Sequence, residues 1–355
     1  MDTPPGIHLE NVTRFFRESV PGGNAPLRFE LISGGRSNLT YRVDIGGPGG
    51  HSVALRRPPL GHVLPTAHDM RREYRVLAAL TDSAVPVPRT IALCDDASVN
   101  EYPFYVMEYR PGVVLQDRIP DGYLTAEVDR ARTSRALVDT LVALHRVNIA
   151  AAGLADFGRP DGYLERQVRR WGVQWQANRT APLPEIDALL ARLARALPAH
   201  SDTTLVHGDF RLGNLALDPA DPGRVLAVYD WEMATLGDPL ADVGYTLIYW
   251  MEPGDPQPRG SIEEVGAVTA QPGFLTRREL AQAYAAGSGR DLAQIDFYQV
   301  LALTKLAVIS EGIYKRFSLG QTAGRGFEKM NRAALPLAAR ALAIADASED
   351  RRLQS

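Results

Sequence analysis

The hydrophobic period of this chain changes once, at Pro111-Gly112, and that change limits the folds open to it. Before it, short alternating runs dominate: Phe29 and Leu31, then Tyr41, Val43 and Ile45, then Ser52 to Arg56. They are separated by Ser-Gly-Gly-Arg-Ser-Asn at 33–38 and by Gly46-Gly47-Pro48-Gly49-Gly50. Such alternation predicts half-buried strands joined by tight turns. One helical pattern interrupts it, at 69–80 with Met70, Tyr74 and Leu77 on one face, before strand-like runs at 90–94 and 104–109. Beyond Pro111-Gly112, helical spacing takes over at 127–147, 163–178, 185–197, 277–287, 291–317 and 328–347, with a Leu164/Val168/Trp171/Trp175 stripe in the second. The exception is a β island at 215–230. The expected fold class is α+β, with a small β-rich lobe and one main helix over residues 1–109 and a larger helical lobe over 110–355.

Composition narrows the function classes without choosing one. With 45% apolar and 23% charged residues, the chain can bury a sizeable core and is not disordered over most of its length. Its 39 Lys and Arg stand against 42 Asp and Glu, a net charge of -3, which gives no reason to expect nucleic acid or an anionic membrane as a partner. Cys94 is the sole cysteine, so no internal disulfide forms and no zinc cluster is suggested. No apolar stretch approaches the ~20 residues of a transmembrane helix. Met1-Asp2-Thr3-Pro4-Pro5 lacks the basic and apolar parts of a signal peptide. A reducing, cytoplasmic location is expected, with monomer and homodimer both left open.

The most informative stretch runs from His207-Gly208-Asp209-Phe210-Arg211-Leu212-Gly213-Asn214 to Asp230. Pro219-Ala220-Asp221-Pro222-Gly223 is a strong turn signal between two apolar runs, and predicts a hairpin. Its antiparallel pairing would make neighbours of Asn214 and Asp230, with Asp209 in the adjoining loop. An Asn oxygen beside a carboxylate suits Mg²⁺, which takes one or two protein oxygens and completes its shell with phosphates and water. A further carboxylate could accept the proton of a hydroxyl attacking phosphorus. Asp and Asn also cap ordinary turns, and a lone D-x-x-x-x-N would be read so. Here the ordered triplet straddles a hairpin.

HGDFRLGN followed by VYDWEMATLGDPLAD resembles the aminoglycoside phosphotransferase family, a branch of the protein-kinase-like fold. The resemblance implies two interdependent lobes sharing a cleft, with a boundary near Glu108–Gly112. It implies that Asp209 is the catalytic base, that Asn214 and Asp230 hold Mg²⁺, and that His207 buttresses the loop. Asp238 and Asp242 are expected to cap and hold the loop rather than do chemistry. In the first lobe, Ser33, Gly34, Gly35, Ser37 and Asn38 match the loop that covers the nucleotide phosphates. Val53-Ala54-Leu55-Arg56 matches the kinase V-A-I-K strand, with Glu73 as the partner glutamate. Backbone groups near Glu108 and Tyr109 match the hinge that binds adenine.

One position departs from the pattern: Arg56 stands where the family has lysine. Arginine keeps the charge but is longer and planar, with a fork of donors. L-R-R-P-P at 55–59 and Arg166-Gln167-Val168-Arg169-Arg170-Trp171 resemble a subgroup that includes kinase-like domains fused to some acyl-CoA dehydrogenases. The expected function is transfer of the γ-phosphate of ATP or GTP to a hydroxyl of a small molecule, with a hydroxyacyl-CoA or hydroxy acid as acceptor. The alternative is a catalytically silent nucleotide-binding module. Arg166, Arg169 and Arg170 either form a solvated face or receive an anionic acceptor.

Overall fold

Alternating apolar residues and glycine-rich turns produce five strands: β1 (Leu27–Ser33), β2 (Leu39–Ile45), β3 (His51–Arg57), β4 (Thr90–Cys94) and β5 (Phe104–Glu108). They form one antiparallel sheet in the order β1-β2-β3-β5-β4. Tyr41, Val43, Ile45, Val53, Leu55, Phe104 and Val106 are buried together, as the period-two pattern requires. The computed structural model describes residues 4–33, 38–60, 68–255, 264–321, 327 and 330–354. Its chain divides into two compact units, Met1–Gly112 with Leu226–Ala234, and Val113–Val225 with Thr235–Ser355.

In the first unit, α1 (Leu9–Ser19) contributes Val12 and Phe16 to the sheet's core. The sequence reading did not include it, although Val12 and Phe16 lie four residues apart on one face of a helix that is otherwise mostly polar. The main helix, α2 (Met70–Leu80), starts where Asp69 accepts the backbone N–H groups of Arg71 and Arg72. It buries Met70, Val76, Leu77, Leu80 and the charged Glu73. A buried carboxylate on an apolar helix face needs a partner, and here that partner is the site described below. A four-residue helix, α3 (Ala97–Asn100), precedes β5.

The second unit is helical: α4 (Glu127–His145), α5 (Tyr163–Asn178), α6 (Pro184–Arg195), α7 (Leu240–Tyr249), α8 (Arg277–Ser288), α9 (Ile295–Ser318), α10 (Asn331–Ala347) and α11 (Arg351–Gln354). The predicted Leu164/Val168/Trp171/Trp175 stripe is buried in one cluster with Leu301, Leu303 and Ala307 of α9. Helix α7 lies close against α9, because a Cβ on Gly244 would stand 2.7 Å from the Tyr298 Cβ. Short strands frame the motif residues. β6 (Thr204–Val206) pairs antiparallel with β9 (Thr235–Gly237) just before the His207–Asn214 motif. β7 (Leu215–Leu217) follows it, and the predicted turn closes with the Asp218 N–H donating to the Arg224 carbonyl at 2.9 Å. β8 (Val225–Val228) then leads to Asp230. Among the described residues, no helix is long and apolar enough to cross a membrane.

Candidate active site

In the first unit, the site is built around a buried guanidinium. Arg56 on β3 donates from Nε to Glu73 at 2.7 Å, from Nη2 to Asp230 at 2.6 Å and from Nη1 to the Thr40 hydroxyl at 3.2 Å. Three elements are thus joined by one planar fork, a geometry that a single ammonium cannot copy. Glu73, 1% exposed, also accepts from Asn38 Nδ2 at 2.6 Å and from the Tyr105 hydroxyl at 3.0 Å. Burial pushes the Glu73 carboxyl up, against the opposing pull of Arg56. The same burial weakens the charged form of Arg56, but Glu73 and Asp230 outweigh it and the guanidinium holds its proton more tightly than a free arginine. Asp230 itself adopts a left-handed conformation, φ 68° and ψ 60°, which Asp tolerates better than most residues.

Of the predicted nucleotide-loop residues, Gly34, Gly35 and Ser37 lie outside the described residues. Ser33 ends β1 opposite Thr40. Asn38 is buried and bridges Glu73 to Glu232, donating to the latter at 3.3 Å. At the hinge, the Glu108 N–H is already committed to the Arg89 carbonyl at 2.8 Å, while Tyr109 has the Arg42 guanidinium 5.3 Å from its ring centre. The Glu108 N–H is therefore not free for a ligand.

In the second unit, the loop after β6 is held from both sides. Asp242 accepts the backbone N–H groups of His207 at 2.6 Å and Gly208 at 2.7 Å, with His145 Nε2 3.3 Å away. Burial would raise the Asp242 carboxyl, but His145, His207 and the loop amide outweigh it and hold it below the usual carboxylate range. Burial lowers His145 against the pull of Asp242, burial pushes Tyr284 up to about 12, and the Tyr284 hydroxyl lies 2.7 Å from His145 Nδ1. Gly208 takes φ +82°, where a side chain would be strained. The Asp209 N–H donates to His207 Nδ1 at 3.2 Å. Asn214 Nδ2 donates to the Asp209 carbonyl and to its carboxylate Oδ2, both at 2.8 Å. The structure therefore brings Asp209 and Asn214 together in one tight turn.

Asp238 accepts from the Leu240 N–H and the Tyr298 hydroxyl, as expected of a residue that caps a turn. Two further residues escaped the sequence reading. Arg211, inside the motif, lies 3.3 Å from Asp209 Oδ1. Lys305, on α9, donates to the Gly208 carbonyl at 2.9 Å. Arg211 could have been found by asking why a cation sits in the variable part of D-x-x-x-x-N. Of the three arginines on α5, Arg166 is spent on the carbonyls of Arg159 and Asp161, Arg170 stands over the Trp171 ring at 5.3 Å, and Arg169 is exposed.

These contacts give a first test for stability. Asp242→Asn should cost about 3 kcal/mol, because an amide cannot replace a carboxylate shared by two amides and an imidazole. A depressed carboxylate stabilises the fold above its unfolded pKa near 3.9, and that contribution disappears as pH falls through the folded value. Urea unfolding below pH ~4 should therefore show a steeper loss in the native chain than in the variant.

Each donor by itself suits Mg²⁺. In the second unit, both Asn214 amide hydrogens point to Asp209, which leaves the amide oxygen as a hard ligand, and in the first unit Asp230 is a carboxylate bonded to Arg56. Among the described residues, no three His, Cys, Asp or Glu side chains cluster to hold a metal unaided. An ion here would need phosphate oxygens to complete its shell.

Comparison with known proteins agrees with the residue-level reading. The model of the phosphotransferase enzyme family matches residues 28–298. Acyl-CoA dehydrogenase family member 10 of Mus musculus is 37% identical over 300 residues, covering 83% of this chain and 27% of that protein. The chain thus spans about a quarter of that relative's length. A crystal structure from Ralstonia eutropha, provisionally described as an aminoglycoside phosphotransferase, is 31% identical with a TM-score of 0.80, covering 96% of this chain and 99% of the other. A thermostable mutant of aminoglycoside phosphotransferase APH(4)-Ia, in ternary complex with AMP-PNP and hygromycin B, shares the fold at 17% identity and a TM-score of 0.60, covering 94% and 97%. The two units are the lobes of a kinase-like fold, and the chain belongs to the phosphotransferase enzyme family.

Proposed function

We propose that this protein transfers the γ-phosphoryl group of ATP or GTP to a hydroxyl of a small acceptor, with a hydroxyacyl-CoA or hydroxy acid as the favoured class. The observation that carries the reading is the Asp209–Asn214 turn, which orients one carboxylate for proton acceptance and one amide oxygen for a metal. Asp209 takes the proton as the acceptor oxygen attacks the γ-phosphorus and the bond to the β-phosphate bridging oxygen breaks. Arg56 binds phosphate oxygens with Glu73 steadying its fork, and backbone groups near Tyr109 read the adenine edge. Mg²⁺, held by Asn214 and Asp230, would neutralise charge on the β- and γ-phosphates.

Two features support an anionic acyl acceptor over a cationic aminoglycoside. Arg169 and Arg170 leave an exposed cationic face on α5, and the related mammalian protein carries this domain alongside an acyl-CoA dehydrogenase name. The buried, unpaired Cys94 fits a reducing cytoplasm. A panel of hydroxyacyl-CoA, hydroxy-acid and amino-sugar compounds, scored for ADP release, should give turnover with the first two groups. Turnover confined to amino sugars would overturn the acceptor assignment.

The rival reading, a silent nucleotide-binding module, has one observation in its favour: Arg56 already occupies Asp230 at 2.6 Å. It would show itself as ATP binding without ADP release across the whole panel.

A further inference from the structure

The chain is nearly free of lysine. Of its 39 Lys and Arg residues only three are lysines, at 305, 315 and 329. One of these, Lys305, is the sole charged residue between Phe297 and Ile309 of α9, a helix otherwise packed into the core. A charge at such a place costs desolvation and calls for a specific reason.

Its contacts supply one. The ammonium donates to the Gly208 carbonyl at 2.9 Å, which is the peptide joining Gly208 to Asp209. The N–H of that same peptide is fixed by His207 Nδ1 at 3.2 Å, so the peptide is gripped at both ends. The ammonium also stands 4.6 Å from the centre of the Tyr245 ring, and Tyr245 in turn interacts with Asp209. An adjoining cavity, lined by Tyr163, Gln167, Trp171, Tyr298 and Lys305, has a volume of about 40 Å³. The direct contacts of Lys305 are with the loop, through the Gly208 carbonyl, and with the Tyr245 ring.

We infer that Lys305 is a positioning residue for phosphoryl transfer, whose positive charge fixes the Gly208–Asp209 peptide and so aims the Asp209 carboxylate. The inference rests on the function proposed above. The charged and titratable groups around the ammonium are Asp209 and His207 of the loop, Asp242 and Tyr245 of α7, Tyr163 and Arg170 of α5, and Tyr298 of its own helix, whose hydroxyl donates to Asp238. Burial lowers the lysine's pKa and Arg170 adds to this, while Asp209 and Asp242 oppose it. The charge should be lost at a pH below the ordinary lysine value near 10.4.

The test uses Lys305→Met, Lys305→Gln and Lys305→Arg in the full chain. Met and Gln, which remove the charge with little change in length, should lower kcat by about 10- to 100-fold, the scale of a misplaced catalytic group, with the nucleotide KM within twofold. Arg should recover most of that loss and abolish the alkaline fall in kcat expected of the native chain. A kcat within twofold of native in either neutral variant that folds, or an Arg variant no better than Met, would overturn the inference. A second readout is independent of turnover. The Gly208 carbonyl and Asp209 amide resonances should titrate with Lys305 in the native chain and stay flat in the Arg variant. Titration without turnover would defeat the proposed function but keep the contact. Flat resonances in the native chain would defeat the inference itself.

Discussion

Asp209→Ala should lower kcat for phosphoryl transfer by about 10³-fold or more while leaving the nucleotide Kd within twofold, the range expected when a general base is removed. The carboxylate is the only proposed proton acceptor, and the residue lies in a turn already fixed by Asp242, His207 and Lys305. Loss of the side chain should therefore spare the fold, with a melting temperature within a few degrees of native. Asp209→Asn separates two roles. Its amide oxygen can still accept from Asn214 Nδ2, as the native Oδ2 does at 2.8 Å, but it cannot take a proton at neutral pH. Both variants should be inactive, and only the alanine should also weaken the response to Mg²⁺. Isothermal titration with a non-hydrolysable nucleotide, beside single-turnover kinetics, separates binding from chemistry.

Arg56→Met should have the largest effect on stability, a loss of about 3–5 kcal/mol in urea unfolding, since it strands Glu73 as a buried and uncompensated charge. Tyr105 and Asn38 still donate to that carboxylate, so the variant is expected to fold but to lose nucleotide affinity. Arg56→Lys is the sharper experiment. An ammonium that reaches Glu73 cannot also serve Asp230 and Thr40 with the angles of the guanidinium fork, which makes all three contacts within 3.2 Å. If the arginine is a working adaptation, lysine should lower kcat/KM by about 10-fold, a change worth ~1.4 kcal/mol. Activation by lysine would instead mark the native residue as a plug on Asp230 and favour the silent-module reading.

What could be read in the sequence followed from how local each signal was. The strands of the first unit announce themselves by alternation, and α5 by Leu164, Val168, Trp171 and Trp175 at helical spacing, because both patterns reflect burial within one element. Helix α7 was hidden because seven of its residues are buried around its surface, which leaves no polar face to define a period. β6 and β9, at three residues each, are too short to show alternation. The site divides the same way. Asp209, Asn214 and Asp230 carry a motif, whereas Lys305 acts on a backbone carbonyl 97 positions away and no motif records that contact. Thr40, the third partner of Arg56, looks like an ordinary strand residue until the fork is seen.

The central claim is that this chain makes a phosphate ester. Its most direct test is to incubate the full chain with ATP, Mg²⁺ and a hydroxyacyl-CoA panel and follow the products by ³¹P NMR, with Asp209→Asn as the control. The account predicts a new phosphomonoester resonance that grows with ADP in equal amounts and is absent from the control. Tight ATP binding with no ester formed on any acceptor, or ester formed equally by the Asp209→Asn control, would contradict it.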